Sequence, residues 1–562
     1  MESFVAPMVA PTAPRATASE DFPMTTTTRR ILRGAAARLT AAMFGLSMLI
    51  APAVAEDLSR ALAAAQRGDV AAVNAMRGSL DRVDQKIVDW YLIRMGSGLP
   101  SQAITAFAIA NSSWPDPELF RKRAEQALEK ENPSADDVVY AFQGSKPYSN
   151  RGRIMLARAL MSKGRKAEAA QWARYAYRDD KLGEDEQRVL EGEFGALLGQ
   201  GDYKARFDMA LLKGHAGDAM QAARKLGSGY EALARAGLAV EKKQGNAGSL
   251  LDQVPGALRE DPAYVFARAQ YARRNERWQE AADWLIKAPK DPKQLGLPDE
   301  WWEEKRIVSR KLLDMGDAKT AYRIVAGHTG STPANQAEAD FHAGWYALRF
   351  LKDSSSAMRH FAAVAEDSSK PVTRARSLYW MGRAAEAGGG GSADEYYRKA
   401  GEFGFTFYGQ MARAKLGKSD LGIDRTISIT SADQAAIERD DRFEALRRFG
   451  RIGRKDLATT FAKHMAETLR SPGQIAALID MMEKQGWMNL AVSAGKAGAQ
   501  RGMDMEVRAF PIGVSPKVDT SGLETALAFA IMRQESEFNQ SVVSSAGATG
   551  IFQVMPDTGR DA

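Results

Sequence analysis

A carboxylate placed on the apolar face of a helix is the first feature of this 562-residue chain that could do chemistry. Leu523, Leu527 and Ile531 recur at i, i+4, and the next position on that stripe is Glu535. The spacing predicts a helix whose apolar face ends in an acid, where charges are normally excluded. Burial disfavours the ionised form, so a carboxyl held there has a raised pKa and stays protonated at neutral pH. A general acid for a glycosidic oxygen needs that state. The same residues allow a second reading, in which Ser536, Asn539 and Gln540 stop the helix and Glu535 turns to solvent. Glu537, the nearest other acid, is only two residues on and projects from a different side. The pair therefore does not make the two-carboxylate arrangement, roughly 5–9.5 Å apart, that hydrolytic glycosidases use.

Other chemistries are excluded by composition. There are no cysteines, so disulfides, thiolate metal sites and cysteine nucleophiles are absent. The five histidines (His215, His328, His342, His360 and His464) include no pair at i, i+4, and no metal site is expected. The chain is 45% hydrophobic and 26% charged, as folded, water-soluble chains are. Its net charge of +7 is spread over 77 basic and 70 acidic residues, which is no nucleic-acid footprint. A small basic excess suits an anionic polymer without proving one.

The elements that must position Glu535 are helices. From Asp57 to about Gly417 the sequence alternates amphipathic helices with short Gly, Asp or Asn turns. The small residues Ala281, Ala321, Ala357 and Ala393, each following such a turn, are spaced 40, 36 and 36 residues apart. That period belongs to stacked helix pairs whose small positions allow close approach. Aromatics such as Trp301, Trp302, Trp345, Tyr379 and Trp380 are expected to pack between helices more than to stack on sugars. Gly388 to Gly391 is read as an inter-helix loop. After Gly417 the β-branched run Thr426 to Thr430 suggests an extended connector, and shorter helices follow from Ser431 to about Met503. Pro511 to Ser521 is the next boundary. Upstream of everything, Arg29, Arg30, Arg33 and Arg38 precede an apolar run from Leu39 to Ile50 and a small-residue site at Ala53-Val54-Ala55. This is the pattern of a secretory signal cut before Glu56. It predicts a periplasmic protein with no stable membrane insertion. The expected organisation is a signal peptide (1–55), a superhelical ring (56–417), a helical linker domain (418–510) and the start of a catalytic domain (511–562).

The stretch Glu535-Ser536-Glu537-Phe538-Asn539, followed by Ser544-Ser545-Ala546-Gly547-Ala548-Thr549-Gly550-Ile551-Phe552-Gln553-Val554-Met555-Pro556, resembles the soluble lytic transglycosylase family. Phe341 to Phe350, Tyr379 to Ala384 and Phe407 to Ala412 are similar to that family's ring. Ser545 stands where many members have Pro, and Ile551-Phe552 replaces the commoner Leu-Met. The resemblance implies an all-α architecture of superhelical ring, helical linker and lysozyme-like catalytic domain. It implies a cofactor-free, exolytic-type enzyme that cleaves peptidoglycan glycan strands between N-acetylmuramic acid and N-acetylglucosamine. Glu535 matches the single acid/base. Ser544 matches a residue near the saccharide, Gln553 and Met555 match positions lining the cleft, and Gly547, Ala548 and Gly550 match the turn that lets backbone approach glycan. Other cell-wall enzymes are conceivable partners.

Ala562 lies 27 residues past Glu535, whereas such catalytic domains run on for about a hundred residues, and chains below about 40 residues rarely fold alone. The expectation is a catalytically incomplete chain, either a fragment or a natural truncation. Two further functions stay open at this level: a non-catalytic scaffold that binds glycan or proteins, and a muramidase that uses water.

Overall fold

The computed structural model describes residues 56–328, 330–423, 427–503, 505–510 and 522–561. The expected signal peptide (1–55) and the expected boundary at 511–521 lie outside the described residues. Among these residues the fold is helix and turn, with only two isolated β-bridges, Val543 with Thr549 and Thr549 with Val554. The all-α superhelical expectation holds.

The array is built by one repeated junction. In the turn before the helix Ala318–Ala326, Gly316 adopts φ +86° and donates its N–H to Leu313 O at 2.9 Å. Asp317 then caps the new helix by accepting from Thr320 N at 3.1 Å. The left-handed residue reverses the chain at little cost when it is Gly. Equivalent turns use Gly164, Glu276 and Lys352 in the same conformation. Ala281, Ala321 and Ala357 are fully buried where each second helix packs on its predecessor, as the period predicts, whereas Ala393, the fourth of the series, is only half-buried because it opens a short helix just after the glycine loop. Gly388 to Gly391 does connect the helices Pro371–Glu386 and Ala393–Gly401. A Cβ at Gly389 would stand 2.6 Å from Ser354 O, so this close approach requires glycine. Trp301, Trp302, Tyr346, Tyr379 and Tyr397 are buried packing residues, but Trp345 and Trp380 are only half-buried.

The helices after the connector do not pack by themselves. The helices Asp441–Arg451, Lys455–Thr468, Pro472–Lys484 and Met488–Gln500 share one continuous apolar core with residues 58–120. Phe461 takes Trp90 and Trp114 edge-on at centroid distances of 5.0 and 5.2 Å. Around this apolar seam lies a polar one. Arg448 reaches Asp81 at 2.7 Å and the fully buried Asp84 at 2.5 Å. Lys86 and Arg82 meet Asp441 at 2.7 and 2.8 Å. The helix Met488–Gln500 also touches the helix Pro371–Glu386. The segment 431–509 thus bridges the first helices of the array and its late ones, closing the superhelix.

Burial raises the Asp84 carboxyl, and Arg448 opposes that rise. Removing one partner of a buried pair leaves an uncompensated charge, at a cost of about 3–5 kcal/mol. Arg448→Met should therefore lower the denaturation midpoint strongly, whereas Arg82→Met, whose side chain is 73% exposed, should leave it within error. Chemical denaturation of the two variants checks this.

His464 adds a pH dependence to the same seam. Its Nε2 donates to Ser113 O at 3.0 Å, and burial lowers its pKa below the usual 6.5. Below pH 6.5 the unfolded chain then binds the proton more readily than the folded one. Stability present above that value is lost as pH falls through the window below it. His464→Gln should flatten this part of a melting-temperature profile measured from pH 7.5 to 5.

Candidate active site

The helix Thr525–Glu535 is anchored by its small face. Ala528 and Met532, one i, i+4 row, pack with Phe538 on Val492 of the helix Met488–Gln500, flanked by Phe529, Ile551 and Phe552. This overturns the expected burial of the other row. Leu523 and Leu527 are each 47% exposed, Ile531 is 37% exposed and Glu535 is exposed. The reason is geometric: Ala528 permits close contact with the neighbouring helix, and the bulkier row turns outward, carrying Glu535 with it. Of the two readings of Glu535, the structure has the one in which the helix stops and the carboxylate faces solvent.

The stop is built by consecutive side chains. Ser536 is buried, with Oγ 3.0 Å from Met532 O and 2.7 Å from Ile551 O, tying the end of the helix to the turn that follows. Glu537 and Phe538 then take φ +52° and +64°, two adjacent non-glycine residues in the left-handed region. Each costs on the order of 1–2 kcal/mol, which the packing of Phe538 into the apolar cluster offsets. Glu537 lies beyond the end of the helix and pairs with Lys496 at 2.7 Å. Arg533, next to the acid, donates through Nε to Ala509 O at 2.7 Å and lies 4.0 Å over the Phe510 ring. Burial lowers its pKa, with Glu537 acting in the opposite sense.

The turn carries the remaining sequence-predicted residues. Ser544 is its staple: its N–H donates to Ala548 O, and its Oγ accepts from Ala548 N, both at 2.9 Å. Gly547 and Gly550 hold φ +89° and +75°. A Cβ at Gly547 would meet nothing within 4 Å, so backbone conformation rather than space calls for glycine there. Gln553, itself at φ +49°, donates through Nε2 to Val542 O at 3.2 Å and Gly550 O at 2.9 Å. Its amide nitrogen is therefore used inside the turn. Ala548 is buried and Met555 is 43% exposed.

The structure thus joins the end of Glu535's helix to the turn through Ser536, leaves Glu535 exposed and pairs Glu537 with Lys496. Among the described residues no grouping of three or more His, Asp or Glu side chains could hold a metal ion. Sequence reasoning missed Lys496, Val492 and Phe510, which position the segment. Their partners lie 23 to 46 residues away, and no local spacing signals them.

Residues 516–562 match the model of the Transglycosylase SLT domain family. A search of curated proteins gave no match. Among solved structures, the inactive mutant of the lytic transglycosylase Slt from Pseudomonas aeruginosa aligns with a TM-score of 0.66 at 19% identity, covering 90% of this chain and 81% of that one. The 70-kDa soluble lytic transglycosylase Slt70 from Escherichia coli aligns with a TM-score of 0.56 at 20% identity, covering 91% and 81%. A complex of the 70-kDa enzyme with bulgecin A aligns at 0.55 and 20% identity, covering 90% and 80%. At these identities the likeness is one of fold.

Because Lys496 and Glu537 pin the segment to the preceding helix, Lys496→Met should loosen residues 522–561 without unfolding the array. Hydrogen exchange should quicken in that segment alone, with the main melting transition unchanged.

Proposed function

We propose that this chain, whose residues 516–562 are of the Transglycosylase SLT domain family and whose helices share the fold of the soluble lytic transglycosylases, acts on peptidoglycan as an exolytic-type lytic transglycosylase. The observation that carries the reading is the coincidence of that family match with a lone surface carboxylate, Glu535, held beside the stapled turn 541–555. Residues 1–55 serve as the export signal and the working compartment is the periplasm. The units are the ring 56–417, the linker domain 418–510 and the catalytic segment 511–562. Among the described residues no helix is long and apolar enough to cross a membrane.

In this reading Glu535 gives its proton to the leaving oxygen as the bond from N-acetylmuramic acid C1 to N-acetylglucosamine O4 breaks. The 2-acetamido oxygen stabilises the cation at C1. Glu535 then takes the proton of the muramic 6-hydroxyl as O6 closes on C1, leaving a 1,6-anhydro end. An attached nucleophile needs no second carboxylate, because its effective molarity is high. The engagement of Glu537 with Lys496 supports this assignment, since that acid is not free to activate water. Ser544, Gln553 and Met555, with the backbone of Gly547, Ala548 and Gly550, are the proposed glycan contacts.

Glu535→Gln preserves size and polarity but cannot exchange the proton, so activity should fall by about 10²–10⁴ with folding unchanged. The assay uses purified glycan strands and the full-length protein. Products should be 1,6-anhydromuropeptides. Reducing-end sugars would instead mark a muramidase, and strand binding without cleavage would mark a scaffold. Glu537→Gln should change turnover little.

A further inference from the structure

Two arginines in the array carry charge with no acid to match it. Arg376, on the helix Pro371–Glu386, is half-buried and forms no ion pair among the described residues; its guanidinium lies 4.0 Å over the Phe341 ring. Arg310, on the helix Pro298–Asp314, is exposed and likewise without an acid. Its guanidinium donates to His342 Nε2 at 3.1 Å. Because arginine can only donate and Nδ1 of His342 faces Glu338 O at 2.8 Å, the partners fix His342 as the neutral Nδ1–H tautomer. Burial lowers its pKa, and both arginines act in the same direction. Glu338, which acts on His342, is already engaged by Trp302 Nε1 and Arg306.

The surroundings are aromatic. Trp380 meets Phe341 edge-on at 6.3 Å, and its Nε1 and the Nε of Arg376 are shielded N–H groups with no acceptor in the protein. Tyr408 stands beside Phe407, which is 68% exposed, on the helix Phe407–Lys415, the second after Pro371–Glu386. Arg310, His342, Arg376 and Tyr408 recur every 32–34 residues, on the alternate helices Pro298–Asp314, Pro333–Tyr346, Pro371–Glu386 and Phe407–Lys415, so each occupies the same member of successive helix pairs and together they form a strip. A half-desolvated guanidinium with no counter-ion is a cost to the fold. The same group is well suited to a carboxylate, which its planar fork can grip through two hydrogen bonds.

We propose that this strip is a further glycan-binding site, in addition to Glu535 and its turn, in which Arg310 and Arg376 hold carboxylates of a peptidoglycan strand while Phe341, Trp380 and Phe407 lie against its sugar rings. The identity of the polymer rests on the functional reading above; the cation–aromatic site does not.

The test is titration calorimetry of the full chain, carrying Glu535→Gln so that strands stay intact, with isolated peptidoglycan strands. The same strands with their carboxyls amidated are the second probe. Arg376→Gln and Arg310→Gln should each weaken binding of the untreated strands by about tenfold or more. They should leave binding of the amidated strands unchanged, and Arg376→Gln should not lower the melting temperature. Equal binding of both probes, or variants that bind as the parent does, would overturn the site, as would a lowered melting temperature with unaltered affinity. If the chain binds strands through these arginines but the Glu535 form never cleaves them, the functional reading fails and the site stands. Cleavage with unaltered binding by both variants gives the reverse.

Discussion

Every helix pair in this array has one apolar face more than it can cover, and the fold is the consequence of covering them in turn. Stacking disposes of each face against the next pair, which leaves the first pair open at one end. The helices of 431–509 resolve that by packing on residues 58–120, with Phe461 between Trp90 and Trp114 as the apolar contact. Only then does the helix Met488–Gln500 acquire a fixed place, with Val492 and Lys496 turned toward the segment that bears Glu535. The position of the proposed catalytic acid is thus set by a closure between segments more than 300 residues apart in sequence.

The buried ion pair at that closure makes the register specific rather than merely stable. Apolar helix faces can slide by a turn and still bury area, but Asp84 has one place where its charge is met, and Arg448 supplies it. A slip of one turn would leave a buried carboxylate alone, which is far costlier than the loss of an exposed pair such as Arg82 with Asp441. Arg442, buried and reaching Ser113 O at 3.0 Å, constrains the same seam from its other side.

What could be read from the sequence divides by the range of the interaction. The pairing of helices was legible because its signals are local: a left-handed turn residue, a capping Asp, and a small residue such as Ala321 at a fixed interval. The turn after Glu535 was legible because Ser544, Gly547 and Gln553 stand in a local motif whose contacts lie within a dozen residues. The merging of the linker helices with the first helices was not legible, since amphipathicity tells that a face is buried and not against what. The environment of Glu535 failed for the same reason. Two apolar rows run along its helix, and the choice between Leu527 with Ile531 and Ala528 with Met532 is made by Val492, on another element.

That choice bears on how the acid can work. A carboxylate at the end of a helix, beside two strained residues and a buried serine, is placed rigidly although it is exposed. Ser536 cannot move without breaking its contact with Ile551, and Glu537 cannot relax without losing Lys496. Placement is therefore supplied by the chain described here. For Glu535 to act as proposed, the surface formed by Leu523, Leu527 and Ile531 must be covered when glycan is bound, because proton transfer to a leaving oxygen is most effective where bulk water is excluded.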